Sequence, residues 1–222
     1  MIVAQRKSIP EIHNIIKEHE NVIVLGCGTC VTVCLAGGER EVSIISSALR
    51  IAAKKAGTKV KINELTIERQ CDNVFIEGAV EEIKKNDAIL SLGCGAGVQA
   101  IAERYPNIPV YAGLDTAFLG ILESRGVWTE KCAQCGECLL SDFGGICPIT
   151  RCAKHMLNGP CGGSREDRCE IKVNQPCAWQ LIYKRLKDIG ELDKIKKIHP
   201  LKDWSKSLNG GSRTIIREDH RI

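Results

Sequence analysis

Thirteen cysteines constrain this chain more than any other feature of its sequence, because eight of them crowd between Lys131 and Cys177. Apolar residues are sparse in that stretch, and Pro148 and Pro160 interrupt any long helix. A segment so poor in core material needs a staple. The total is odd, which argues against a closed disulfide framework. Residues 1–10 hold Gln5, Arg6 and Lys7 but no apolar run of a secretory signal. The longest apolar runs, such as Val22–Leu25 and Ala88–Leu90, are too short to cross a bilayer. The expectation is a cytoplasmic protein without a membrane span, with reduced thiols that ligate metal or iron–sulfur clusters.

Charge shifts where the cysteines crowd. Residues 131–222 carry 17 Lys and Arg against 11 Asp and Glu, whereas residues 1–130 carry 14 against 16. Three regions follow: an α/β domain over 1–130, a cysteine-rich module over 131–189, and an extended tail over 190–222 expected to meet a partner. The tail carries Ile198, Leu201, Trp204 and Leu208 among charged residues with little periodicity. It suits wrapping a partner subunit or lying back over the first domain. The whole-chain charge of +4 does not force a nucleic-acid partner. Between 131 and 178 the only aromatic ring besides His155 is Phe143, too few for base stacking.

The first 130 residues alternate strand and helix patterns. Asn21–Gly26, Val60–Leu65, Asp87–Leu92 and Pro109–Ala112 read as strands, and Glu39–Ala56, Asn73–Asn86 and Val98–Arg104 as helices. Short links between them predict a parallel, doubly wound, Rossmann-like sheet. Its strand-to-helix loops then share one edge, where open sheets bind ligands. Cys27, Cys30 and Cys34 follow the first strand, Cys71 the second and Cys94 the third. A four-iron cluster takes four thiolates, so one of the five is spare. Zinc would accept four as well. Gly93, Gly95 and Gly97 flank Cys94 and are candidates for a nucleotide-phosphate loop. The supporting acid that a dinucleotide site places about 20 residues on is missing, and Asp115 follows the next strand instead. Cys27-x2-Cys30 could also be a thioredoxin-like redox pair, but that leaves the other thiols unexplained.

The second region opens with Cys132-x2-Cys135-x2-Cys138, a spacing with which ferredoxins cap three irons of one cube. The fourth ligand comes from Cys147, Cys152, Cys161, Cys169 or Cys177. Eight thiols can hold two four-iron clusters, one cluster and one zinc, or one cluster with spare thiols. No acid–base residue is needed for that role, so no catalytic residue is assigned. The rival reading is a zinc-bound structural or regulatory subunit without redox function.

Several segments carry a family likeness: Gly26-Cys27-Gly28-Thr29-Cys30, Glu68-Arg69-Gln70-Cys71, Leu92-Gly93-Cys94-Gly95-Ala96-Gly97-Val98-Gln99, Cys147-Pro148-Ile149-Thr150-Arg151-Cys152 and Asn158-Gly159-Pro160-Cys161-Gly162-Gly163. Over about residues 1–205 the chain resembles the methylenetetrahydrofolate reductase carboxyl-terminal family, notably its small iron–sulfur (MetV-type) subunits. The resemblance implies two or more [4Fe–4S] clusters, with zinc an option at one site. It implies a TIM-barrel partner subunit (MetF type) that carries FMN and reduces methylenetetrahydrofolate to methyltetrahydrofolate. This chain would pass electrons to or from that flavin, and further electron-donor subunits could join the complex.

Overall fold

A computed structural model of the chain describes residues 1–220. It divides into two units, Met1–Thr129 and Glu130 onward. The first runs β1 (Ile2–Arg6), α1 (Ile9–Ile16), β2 (Asn21–Cys27), α2 (Cys30–Val33), α3 (Glu39–Ala56), β3 (Lys61–Ile67), α4 (Asn73–Glu77), α5 (Val80–Ile83), β4 (Ala88–Ser91), α6 (Gly95–Arg104), β5 (Val110–Ala112) and β6 (Leu114–Ser124). The boundary falls within β7 (Val127–Cys132).

Four strands form a parallel sheet in the order β3-β2-β4-β5. Val22, Ile23, Val24 and Leu25 of β2 are all buried, because each face of the sheet is covered. Val22 and Val24 join one cluster with Val42, Ile45 and Leu49 of α3 and Ile12 and Ile16 of α1. Ile23 and Leu25 point the other way, toward Ile76 of α4, Ile83 of α5 and Ile101 of α6. The doubly wound reading therefore holds. The chain leaves β2 for β3 on one side, then crosses back to β4 and β5, so the order reverses between β2 and β4. α3 is held at both ends: the Gly38 N–H donates to Glu41 Oε2 at 3.2 Å, and Gly57 closes it at φ +69°.

A second, antiparallel sheet, β1-β6-β7, has no counterpart in the sequence reading. β1 pairs with β6 from Ile2↔Leu119 to Arg6↔Leu114, partners more than 100 residues apart. Only Val3, Ala4 and Leu114 from these strands enter the core, which leaves a weak periodic signal. The helix expected over Asn73–Asn86 is instead two short pieces separated at Gly78 and Ala79.

The second unit has little regular structure. α7 (Pro148–Arg151) is a single turn, α8 (Ala178–Asp188) is the one long helix among the described residues of this unit, and its remaining helical pieces are 3-10 turns. Its core is small: Phe143, Cys177, Trp179, Ile182 and Leu186, with the Phe143 and Trp179 rings edge to face at 5.6 Å. Gly159 has no room for a Cβ because the Trp179 ring lies 2.4 Å from that position. No helix among the described residues is long and apolar enough to cross a membrane.

Leu90 sits at the centre of β4 with no exposed surface, whereas Val74 in the first turn of α4 is exposed. Leu90→Ala should cost roughly 2–5 kcal/mol in denaturant unfolding. Val74→Ala should stay within about 0.5 kcal/mol of the parent.

Candidate functional site

The eight cysteines of the second unit sort into two sets of four. Cys132, Cys135, Cys138 and Cys147 line one cavity of about 330 Å³. Cys152, Cys161, Cys169 and Cys177 line another that is much narrower, about 20 Å³. No cysteine is shared. Among the described residues no group of three or more His, Cys, Asp or Glu is arranged to hold a metal ion, so the grouping rests on the cavities the thiols share.

The first set is built on a loop with Gln134 at φ +54° and Gly136 at φ +79°. These left-handed residues turn the chain between successive thiols, and Gln134 does so at a cost because it has a Cβ. The Gln134 N–H donates to Cys132 Sγ at 3.3 Å. Thr150 on α7 ties the loop to the fourth thiol: its hydroxyl donates to Cys147 Sγ at 3.5 Å and accepts from the Ala133 N–H at 2.9 Å. In the second set the Gly163 N–H donates to Cys161 Sγ at 3.4 Å. Backbone hydrogen bonds from Lys172 and Ile171 hold the Cys169 thiol below its ordinary range, which favours the thiolate. The Cys161 thiol donates to Glu170 at 3.6 Å, and Glu170 pairs with Lys154, whose hydrogen bond holds the carboxyl below its usual range. Cys147 and Cys152 bracket α7, one from each set. The four residues of α7 lie between them, and five helical steps correspond to roughly 8 Å along the axis.

Of the carboxyl-terminal stretch assigned to a partner, residues 202–213 lie against the first cysteine loop of their own unit. Lys202, whose side chain is only 2% exposed, donates to the Glu137 carbonyl at 2.9 Å and faces Glu137 Oε2 at 3.5 Å. Lys206 reaches Glu137 Oε1 at 3.2 Å, and Arg213 donates to the carbonyls of Lys206 and Gln134. A Cβ on Gly136 would sit 2.0 Å from the Lys206 carbonyl. Leu201, at 99% exposed, and Ile215 stay in solvent. The sequence reading missed Lys202, Lys206 and Glu137 because nothing local marks a loop glycine as the footing of a segment 70 residues on.

In the first unit Cys27 ends β2, Cys71 follows β3 and Cys94 caps α6. Their loops are interlocked by Gln70, which is almost fully buried. Its Nε2 donates to the Leu25 carbonyl at 2.7 Å, and its Oε1 accepts from Ser91 Oγ at 2.6 Å. Burial pushes the Cys71 thiol up, aided by the negative charge that Cys94 and Cys27 would bear. Cys34 stands apart in the core, its thiol 3.9 Å from the Ala4 carbonyl and 3.6 Å from that of Val31, and burial raises it too. Cys30 lies at the start of α2. Gly93 and Gly97 have a packing reason to be glycine: a Cβ there would meet the Gln70 side chain at 2.5 and 2.8 Å. The Gly93 N–H donates to Ser91 Oγ and the Gly95 N–H to Thr116 Oγ1, so two donors that a phosphate would need are already satisfied.

The strap over the first cysteine loop has a measurable signature. Gly136→Ala should lift it, because a left-handed backbone and the Lys206 carbonyl both oppose a side chain there; tryptic cleavage after Lys206 should quicken several-fold. Lys206 and Lys202 hold the Glu137 carboxyl below its usual range, so the pairing is complete above that range and fades as pH falls through the depressed value. Hydrogen exchange should show residues 202–213 better protected in the parent than in Glu137→Gln at neutral pH. That difference should begin to shrink as pH falls through the usual carboxylate range and should vanish only once pH has passed the depressed value.

Comparison with known proteins adds one family. No curated protein shows significant similarity to the chain. Among solved structures it is similar to a crystal structure of an extracellular ligand-binding receptor from Verminephrobacter eiseniae ef01-2, at 17% identity and a TM-score of 0.34. That match covers 47% of this chain and 28% of the receptor, and a likeness so slight carries no argument. Residues 111–205, less than half of the chain but including all eight cysteines of the second unit, match the family described as methylene-tetrahydrofolate reductase C terminal, which relates this chain to that enzyme family.

Proposed function

We propose that this chain is an iron–sulfur electron-transfer subunit of a methylenetetrahydrofolate reductase complex. The observation that carries the reading is the division of eight cysteines into two complete sets of four, linked by the single turn of α7. Four thiols, N–H and O–H donors aimed at sulfur, and apolar neighbours such as Leu139, Leu140 and Ile149 suit a four-iron cluster. Such a cluster supplies reversible one-electron storage.

The chain's own residues do the remaining work. Cys132, Cys135, Cys138 and Cys147 would hold the first centre, and Cys152, Cys161, Cys169 and Cys177 the second. Thr150 and the Gln134 and Gly163 N–H groups spread the negative charge on sulfur. α7 keeps the two sets close enough for transfer between them. The strap of Lys202 and Lys206 covers the first loop and places positive charge beside it. On this reading a partner subunit binds the folate and a flavin, FMN in a TIM barrel as the family resemblance implies, and this chain passes electrons to or from it.

A second reading has one observation in its favour. The second cavity is hardly larger than one water, which suits a single zinc ion better than a cube once its thiols close in.

Metal analysis of protein purified without oxygen separates these. Two clusters give about eight irons with matching sulfide, one cluster and one zinc give about four irons, and zinc alone overturns the electron-transfer role. If two clusters are present, Cys135→Ser and Cys169→Ser should each remove about half of the iron while leaving the other set loaded. Co-expression with a flavin-bearing reductase subunit should yield a complex whose flavin is reduced through this chain, and Cys135→Ser should slow that reduction at least tenfold.

A further inference from the structure

The cavity that Cys132, Cys135, Cys138 and Cys147 line has one wall residue from the far end of the chain, Arg213. We propose that Arg213 is the latch of a hinged lid, residues 212–217, which swings about Gly210 and Gly211 and gates access to Cys135 in that cavity. The gate does not depend on what the cavity holds, so it stands apart from the electron-transfer reading.

The latch brackets one thiol. Arg213 Nη2 donates to the carbonyl of Gln134, the residue before Cys135, at 3.5 Å. Arg213 Nη1 lies over the residue after it: a Cβ on Gly136 would stand 2.9 Å from that nitrogen. The same nitrogen donates to the Lys206 carbonyl, which itself packs on Gly136. Cys135 is half-buried between these contacts, whereas Cys138 lies beyond them and is exposed. One guanidinium therefore spans the backbone on both sides of Cys135 and closes that side of the cavity.

The two ends of the strap are held differently. Up to Ser207 it is anchored. The Lys202 side chain is buried against Glu137, and Ser207 is buried with its hydroxyl donating to the Trp204 carbonyl. Beyond Gly211, at φ +90°, the chain is exposed from Ser212 to Arg217, and among the described residues this stretch donates no backbone hydrogen bond. Ile215 and Ile216 are exposed, so no apolar burial holds it down. Arg213 itself meets carbonyls and pairs with no carboxylate among the described residues. Water can replace both of its hydrogen bonds at little net cost. Two successive glycines, the second left-handed, let the backbone turn there while Lys206 stays in place. A segment with exposed side chains and so few hydrogen bonds opens before the anchor that precedes it.

The test uses the full chain purified without oxygen. Limited trypsin digestion of the parent reads the hinge, with each initial rate divided by that of the same bond in the unfolded chain. Cleavage after Arg213 should run several-fold faster than cleavage after Lys206, because the lid opens while the anchor stays. Equal rates, or Lys206 first, mean that the strap moves as one body and overturn the proposal. Access is read by mass spectrometry after brief reaction with iodoacetamide or with a maleimide on a bulky polymer. Arg213→Gln should speed modification of Cys135 by the bulky reagent several-fold, with a smaller gain for iodoacetamide. Cys138 and Cys161, both exposed, should keep their parent rates. Arg213→Lys keeps the charge but lacks the planar fork that spans two carbonyls, so it should behave like Arg213→Gln. No gain at Cys135, or the same gain at all three thiols, overturns the gate. Where a bound metal holds the thiols, modification of Cys135 follows its loss through the same opening, and the order of tryptic cuts in the parent still decides. Metal content of the parent tests the electron-transfer reading separately, and neither result determines the other.

Discussion

Burial of β2 on both faces is the constraint from which the first unit follows. Strand residues alternate in direction, so a run of four apolar residues can be satisfied only by a layer on each side. Val22 and Val24 take α1 and α3, and Ile23 and Leu25 take α4, α5 and α6. Two layers force the chain to cross back over the sheet, so the strand order reverses between β2 and β4. Because every crossover has the same hand, all strand ends deliver their loops to one edge. The thiols ride on those loops, and Gln70 converts a shared edge into fixed positions.

The second unit is organised on the opposite principle. Its apolar core is a handful of side chains around Phe143 and Trp179, too few to fix a chain of some ninety residues. What shapes it instead are backbone turns that bring four cysteines to the wall of each of two cavities. Gln134, His155, Glu166 and Asp167 all adopt left-handed conformations that cost free energy in a residue with a Cβ. They are distributed through the cysteine loops. On the proposed reading ligation energy would compensate, since a thiolate centre can contribute more than any side chain in that core. The Lys206–Glu137 pair is half exposed and adds little by itself; the consequence of the strap is positional, holding residues 202–213 over one loop.

Much of this was legible in the chain. Periodicity and glycine stops located β2, α3 and β4, because long apolar patterns report burial directly. The crowding and spacing of Cys132, Cys135 and Cys138 marked a loop of thiols that the structure sets around one cavity. β1, β6 and β7 escaped because their pairing spans most of the first unit and leaves few buried positions to count. The glycines around Cys94 suggested a phosphate cradle, whereas Gly93 and Gly97 answer to a glutamine 23 and 27 positions earlier. A local pattern cannot distinguish a glycine that makes room for a ligand from one that makes room for a side chain.

By itself the sequence determined the class of the fold, the break near Glu130 and the chemistry available, since residue type and spacing are local properties. Only the tertiary structure decided which thiols share a cavity: Cys147 with the C-x2-C-x2-C loop, Cys152 with Cys161, Cys169 and Cys177, and Cys34 with the core. It likewise decided that Lys202 and Lys206 return to Glu137. The reason is physical: cavity membership depends on turns, on left-handed residues and on packing between segments far apart in the chain, and none of these is encoded at a fixed interval.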